Sequence, residues 1–194
     1  MEYEIVKYVI QIQDMGKCSY VLIDRDEKEG RIEKSCPHET WEGSNKFCIF
    51  HDPSLDKDRD LFIQKLEEQM QIETEIHSFV GYIFPENWNY FKNYKFKIPV
   101  DFNGAIFQNA SFRNATFQKD ADFRETTFRD LTMNGTVFKE NLDFKPKQVK
   151  NLDLRNSKFF FMGMITTSLK MAKFHNSFLK KCFLHRLSMA QKNL

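Results

Sequence analysis

The stretch "DFNGAIFQNASFRNATFQKDADFRETTF", residues 101 to 128, places a phenylalanine at nearly every fifth position. Five residues rotate a side chain by about 140° around an α-helix, so a helix would scatter these rings over its whole surface. A flat strand alternates its faces, so an odd interval would send every second ring into water. The pattern therefore predicts a short extended segment and a corner in every unit, with the chain winding around its own axis.

The interval of five continues from Phe102 to Met189, with one extra residue after Phe117 and another after Phe138. The predicted inward positions are Phe102, Phe107, Phe112, Phe117, Phe123, Phe128, Met133, Phe138, Phe144, Val149, Leu154, Phe159, Met164, Leu169, Phe174, Leu179, Leu184 and Met189. These positions make eighteen units. The alternative is a chance run of phenylalanines in an ordinary β-domain.

A second inward position lies two residues before each of these, because residues i−2 and i share a face in an extended segment. It is small in most units, as at Ala105, Ala110 and Ala115, with Lys147 as the visible exception. Cys182 occupies the same position, and we interpret it as a core residue. The residue after each inward position is mostly polar, and the next one is often Gly or Asn, which tolerate tight corners.

This pattern resembles the pentapeptide-repeat proteins, whose units read roughly A-(D/N)-(L/F)-x-x, as in "ADFRE" (121 to 125). The resemblance implies a mainly β fold, a right-handed quadrilateral β-helix with four units per coil. Eighteen units then give about 4.5 coils and a rod of roughly 22 Å, at the strand spacing of ~4.8 Å. Each buried Phe contributes about 1.5–3 kcal/mol, which makes the stack the main source of stability.

Ahead of the repeats, Cys18, Cys36, Cys48 and His51 form a candidate Cys₃His zinc site, with His38 as a competing ligand. The spacing Cys48-x-x-His51 lets one turn of backbone present two ligands to one ion. Buried thiols with a surface histidine are the alternative. Some pentapeptide-repeat proteins are similar in carrying a module with cysteines before the repeats, and this resemblance implies a structural zinc knuckle. Four protein ligands would leave no open position for a substrate.

The segment between these two modules predicts an amphipathic helix from about Asp56, since Phe62, Leu66 and Met70 recur every four residues. We expect the aromatic residues 79–98 to cap the first coil, whose apolar end must be covered. A ligand pocket or a base-stacking platform is the alternative for these aromatic side chains. The predicted division is therefore a Cys/His module (1–55), a helix with a cap (56–98) and the β-helix (99–194).

Charge is unevenly distributed, although the net charge is only +2: residues 1–98 hold 13 Lys and Arg against 19 Asp and Glu, and residues 99–194 hold 16 against 8. The basic half favours an anionic partner. The outward candidates for contact with anions are Arg113, Arg124, Arg129, Lys139, Lys145 and Lys150. Carboxylates one residue before an inward position, such as Asp101 and Asp122, are predicted to serve solvation.

The sequence contains no phosphate loop, nucleophile elbow or H-E-x-x-H motif. We therefore predict that the protein is not an enzyme. The leading hypothesis is a scaffold that binds an unidentified protein partner and carries a structural zinc module. A nucleic-acid-associated protein is the alternative, either through phosphate contact or through the link to type II topoisomerases that the resemblance implies. A zinc-dependent enzyme ranks third.

The sequence offers no stretch long enough to cross a membrane and no secretory signal, so we expect a cytoplasmic protein that does not bind membranes. No cap follows Met189, and an uncovered coil end is a pairing surface. We therefore expect self-association through residues 175–194.

Overall fold

The computed structural model describes residues 16–26, 30–54, 56–166, 171–179 and 182–187. The chain forms two compact units, Met1–Ile49 and Phe50–Leu194. The division into three segments that the sequence suggested stays a prediction. None of the helices in the described part of the chain has the length and apolar character of a membrane span.

The first unit contains an antiparallel hairpin of β1 (Val21–Asp26) and β2 (Gly30–Ser35). Val21 lies opposite Ser35 at its open end, and an isolated bridge between Lys17 and Glu39 extends the pairing beyond that end. The residues that follow the hairpin form a series of turns up to the end of the unit.

The second unit begins with the single helix of the described residues, α1 (Arg59–Ile72). Asp58 caps it, since its side chain accepts hydrogen bonds from the backbone N–H groups of Asp60 and Leu61. Phe62, Leu66 and Met70 are buried. The predicted amphipathic helix is therefore confirmed, with the apolar positions that the sequence indicated.

A β-solenoid of about four turns makes up the rest of this unit. Its strands are β3 (His77–Ser78), β4 (Lys95–Phe96), β5 (Val100–Asp101), β6 (Ile106–Ser111), β7 (Thr116–Phe117), β8 (Ala121–Asp122), β9 (Thr127–Thr132), β10 (Val137–Phe144), β11 (Gln148–Asp153), β12 (Lys158–Thr166), β13 (Met171–Lys173), β14 (Phe178–Leu179) and β15 (Cys182–Leu187). All pairings between these described strands are parallel, as a coiled path requires.

Four columns of inward side chains fill the solenoid, and each column is named here by its residue in the first regular coil: Phe102, Phe107, Phe112 or Phe117. Along the Phe117 column the rings stack nearly parallel, with centroids 4.6 Å from Phe96 to Phe117 and 4.5 Å from Phe117 to Phe138. All the predicted inward positions from Phe102 to Phe159 are buried. The predicted β-helix is therefore confirmed over these residues.

Beyond Phe159 the structure supports the ladder through its backbone. Phe174 is half-buried, and Leu184 lies in β15, which pairs with β12. The side chains of Met164, Leu179, Leu184 and Cys182, together with all of Leu169 and Met189, lie outside what the structure describes. Lys147, the exception among the small positions, is exposed, and the neighbouring Pro146 is buried.

Residues 79–98 lie on the first regular coil, where a cap was expected, but they form an additional irregular coil. Phe79, Phe84, Phe91 and Phe96 extend the four columns by one level; for example, Phe84 stacks on Phe107 at 4.1 Å. The helix covers this level, since Phe62 contacts Phe84 at 5.5 Å between ring centroids. The covering layer of the solenoid is therefore α1, and Trp88 is buried beneath it.

The extra residues after Phe117 and Phe138 fall at the same corner of the solenoid. Phe117 pairs with Phe138 and Ala121 pairs with Leu142, so these two coils have equal length at the corner. The next coil lacks the extra residue, and the pairing of β10 with β12 shifts by one position after Phe138. A β-bulge thus accommodates the extra residue, and the inward positions of the two coils stay in register.

Residues with positive φ recur at two corners of the solenoid. Asn93, Asn114, Gly135, Asn156 and Asn176 form one such corner, two residues after the Phe112 column. Gly and Asn tolerate this left-handed conformation better than other residues do, which explains their recurrence in the sequence.

Hydroxyl groups join successive coils beside the Phe112 column; those of Thr136 and Ser157 are buried, and that of Ser177 is half-buried. Thr136 donates to the Phe112 carbonyl at 2.7 Å, Ser157 donates to the Met133 carbonyl, and Ser177 donates to the Leu154 carbonyl at 2.6 Å. Each bond reaches the preceding coil and satisfies a polar group that burial would otherwise penalise.

Candidate metal centre

The backbone next to the β1–β2 hairpin positions Cys18 and Cys36. The Cys18 N–H donates to the His38 carbonyl at 3.0 Å, and the Cys36 N–H donates to the Tyr20 carbonyl at 3.0 Å. These bonds continue the antiparallel ladder past the strand ends. Cys18 and Cys36, which are 18 residues apart in sequence, thereby lie on the two neighbouring segments that continue the strands of the hairpin.

A compact turn precedes Cys48. The Ser44 hydroxyl accepts hydrogen bonds from the N–H groups of Lys46 and Phe47, and the Trp41 N–H donates to the Phe47 carbonyl at 3.3 Å. The Trp41 ring lies so close to Gly43 that a Cβ atom there would be 2.2 Å from it. This turn reverses the direction of the chain. As a result, Cys48 and His51 lie close to the two cysteines of the hairpin.

Cys18, Cys36, Cys48 and His51 are all buried, and their ligand atoms lie within 4.8 Å of one another. The Sγ atoms of Cys36 and Cys48 are 3.8 Å apart. Two sulfur atoms at ~2.3 Å from a tetrahedral Zn²⁺ are separated by roughly 3.8 Å. The donor set and this separation both fit a zinc ion, and the four residues predicted from the sequence are those that the fold brings together.

The imidazole of His51 is oriented by a second partner. Its Nε2 lies 3.1 Å from the Val80 carbonyl oxygen. A carbonyl oxygen can only accept a hydrogen bond, so Nε2 carries the hydrogen and Nδ1 keeps its lone pair for a metal. Such a hydrogen bond from the second ring nitrogen is the usual support of a metal-binding histidine. The Tyr82 ring packs edge-on against His51, with centroids 5.3 Å apart.

The environment of the Cys36 thiol lowers its pKa and so favours the deprotonated form, which is the form that binds a metal. Its pKa lies below the usual value, chiefly because of the hydrogen bond with Cys48, while burial opposes this shift and the His38 N–H supports it. His38 therefore contributes through its backbone. Its imidazole, the competing ligand in the sequence analysis, is not part of the group of four.

The six cations predicted to contact anions are spread over the four sides of the solenoid. Arg124 and Lys145 follow the Phe102 column, Arg129 and Lys150 follow the Phe107 column, and Arg113 and Lys139 follow the other two columns. Three of them have carboxylate partners: Arg124 with Asp122 at 2.6 Å, Lys145 with Asp143 at 2.8 Å, and Arg129 with Asp130 at 3.5 Å. Their contact with anions stays a prediction, but they do not share one surface.

The aspartates just before the inward positions have a structural role that the sequence analysis missed. Asp101 accepts a hydrogen bond from the Asn103 N–H at 2.7 Å, and Asp122 does the same for Arg124 at 2.8 Å. Each carboxylate thus closes a turn onto the backbone two residues further along. The signal was available in the sequence, because Asp recurs at this position directly before a corner.

These features define a class: a parallel β-solenoid with five-residue units, in a chain that also carries a buried Cys₃His cluster. Residues 100–146, about a quarter of the chain, match the family model described as "Pentapeptide repeats (9 copies)". The structure extends the repeats past the matched residues, into β11–β15. Searches of curated proteins and of solved structures gave no match.

Proposed function

We propose that this protein is a non-enzymatic interaction scaffold, in which a rigid pentapeptide-repeat solenoid presents its outer sides to partners and the Cys/His cluster holds a structural zinc ion. The observation that carries the proposal is the complete filling of the described coils by side chains. Phe102, Phe112, Phe117 and Phe123 are each 0% exposed, so the repeats offer their outer surface, not their interior, for recognition.

The composition of the cluster supports a structural ion. Three thiolates and one imidazole complete a tetrahedral coordination sphere, whereas catalytic zinc sites keep one position for water. All four ligands are at least nine-tenths buried, which limits access of a substrate to the ion. The third hypothesis, a zinc-dependent enzyme, would require one of the four residues to remain unbound.

The metal part of the proposal is tested by metal analysis of the intact protein. We expect about one zinc ion per chain, and loss of that ion in the Cys36→Ser variant. Cys182→Ser is the control, because the sequence places Cys182 in the repeats and predicts it to be a core residue. Cobalt substitution then reports the geometry: a tetrahedral thiolate spectrum supports a closed structural site, and a five-coordinate spectrum with bound water contradicts it.

The scaffold part is tested by affinity capture with the full chain under conditions that retain the metal. A partner that is captured reproducibly, and that is lost when outward residues of one side are changed without loss of thermal stability, supports the proposal. Turnover of a substrate that depends on the bound metal would overturn it.

Self-association through residues 175–194 is proposed as well. It is tested by light scattering over a range of protein concentrations. A mass that stays that of one chain at the highest concentration would contradict it.

A further inference from the structure

One side of the solenoid combines exposed lysines with two aromatic rings, one exposed and one half-buried, and we call it the lysine face. It consists of the outward residues on either side of the Phe117 column. The residues that define it are Lys95, Lys97, Lys139, Lys158, Phe160 and Phe178.

Strand register places these residues on one surface. Lys95 pairs with Thr116, which pairs with Val137; Val137 pairs with Lys158, and Lys158 pairs with Phe178. This row runs along the solenoid, one residue before the inward column. Lys97, Gln118, Lys139 and Phe160 form the second row, one residue after that column. The two rows are about 7 Å apart, and five strands span about 19 Å at the usual strand spacing.

The charge of the lysine face is not compensated. All four lysines are exposed, and among the residues that the structure describes none of them has a carboxylate within ion-pair distance. Neither row contains an acidic residue. The neighbouring side along the Phe102 column differs, because Asp101, Asp122 and Asp143 follow one another there. On that side Arg124 and Lys145 pair with Asp122 and Asp143, so the charges there are largely compensated. A polyanion would therefore be attracted more strongly to the lysine face than to this neighbouring side.

The aromatic residues lie at one end of the same face. Phe178 is 51% exposed, which is unusual for a phenylalanine in a protein whose other rings are mostly buried. Phe160 is half-buried and lies edge-on to Phe178, with ring centroids 6.2 Å apart. A flat basic strip that ends in accessible rings combines the two contacts that proteins use for unpaired nucleotides: charge for the phosphates and ring faces for the bases.

We infer that the lysine face binds single-stranded nucleic acid, with Lys95, Lys97, Lys139 and Lys158 contacting phosphates and Phe178 stacking on a base. An acidic peptide would match the charge but would leave the rings unused. This inference rests on the proposed role of the solenoid as a binding scaffold, and it replaces the scattered cations of the sequence analysis with residues that share one surface.

The experiment measures fluorescence anisotropy of a labelled oligothymidylate with the full-length protein at several salt concentrations. Four phosphate contacts predict a slope of log K against log salt of about −2.8. The double variant Lys139→Gln/Lys158→Gln should halve this slope. The matched control Arg113→Gln/Lys150→Gln removes the same charge from two other sides and should leave the slope unchanged. Phe178→Ala should weaken binding about fivefold or more.

Thermal melts of all variants establish that each one is folded before binding is compared. Absence of binding at low salt, or equal losses in the two double variants, would overturn the inference. So would a labelled polyglutamate that binds as tightly as the oligonucleotide and is insensitive to Phe178→Ala. If the lysine variants instead release a captured protein partner while no oligonucleotide binds, the scaffold proposal stands and the nucleic-acid inference fails.

Discussion

Replacing Glu125 by glycine is expected to stabilise the solenoid, because Glu125 adopts a left-handed backbone conformation with φ of 54°. The other described residues with positive φ are Gly or Asn. Left-handed backbone costs a residue with a Cβ about 1–2 kcal/mol, and glycine loses about 0.5–1 kcal/mol through its greater freedom in the unfolded chain. The difference predicts a gain of about 0.5–1 kcal/mol and a rise in Tm of about 1–4 °C by calorimetry.

Two further variants separate backbone strain from side-chain contacts. Glu125→Ala removes the carboxylate but keeps the strain, so its Tm should stay near that of the wild type. Gly104 lies at the same corner one coil earlier, with φ of 69° and no atom closer than 3.9 Å to an added Cβ. Gly104→Ala should therefore lower Tm by a similar amount. A decrease in Tm for Glu125→Gly, or an equal increase for Glu125→Ala, would refute this reasoning.

Three other changes test the packing and electrostatics. Thr136→Val removes the hydrogen bond to the Phe112 carbonyl and should cost about 0.5–1.5 kcal/mol in urea unfolding, because the Ala115 N–H still satisfies that carbonyl. Phe123→Ala should cost about 3–5 kcal/mol in the same assay, since the ring is fully buried. The pKa of Asp153 lies below its usual value, chiefly through the hydrogen bond from Arg155, so this stabilisation is present at neutral pH and is lost as the pH falls through the lowered pKa. Asp153→Asn should accordingly flatten the decrease of Tm below about pH 4.

The interval of five was sufficient to predict the solenoid, because only a chain that turns a corner in every unit returns each Phe to the interior. The same reasoning missed the coil at residues 79–98. There the intervals from Phe79 through Phe84, Phe91 and Phe96 to Phe102 are five, seven, five and six residues. These four rings pack in the same columns as the regular repeats. Their corners are longer, however, so the residues do not recur at equal intervals and the repeat cannot be recognised from spacing alone.

The presence of three cysteines and a histidine, all common zinc ligands, was enough to predict the Cys/His cluster. The sequence alone did not predict that the lysines of the lysine face lie on one surface. Which outward residues lie on the same side depends on the number of residues per turn, and the extra residue at one corner changes that number from 20 to 21. Lys95 and Lys158 are 63 residues apart in the chain, and only the strand register places them in one row.

The bulge that absorbs the extra residue after Phe138 also indicates where foreign sequence would be tolerated. Coils with and without that residue stack in the same inward register, so the corner can change its length while the Phe columns remain in place. Peptides grafted between Lys139 and Asn141 would project from the outside of the solenoid, which makes this corner suitable for displaying an epitope or a recognition loop on a rigid support.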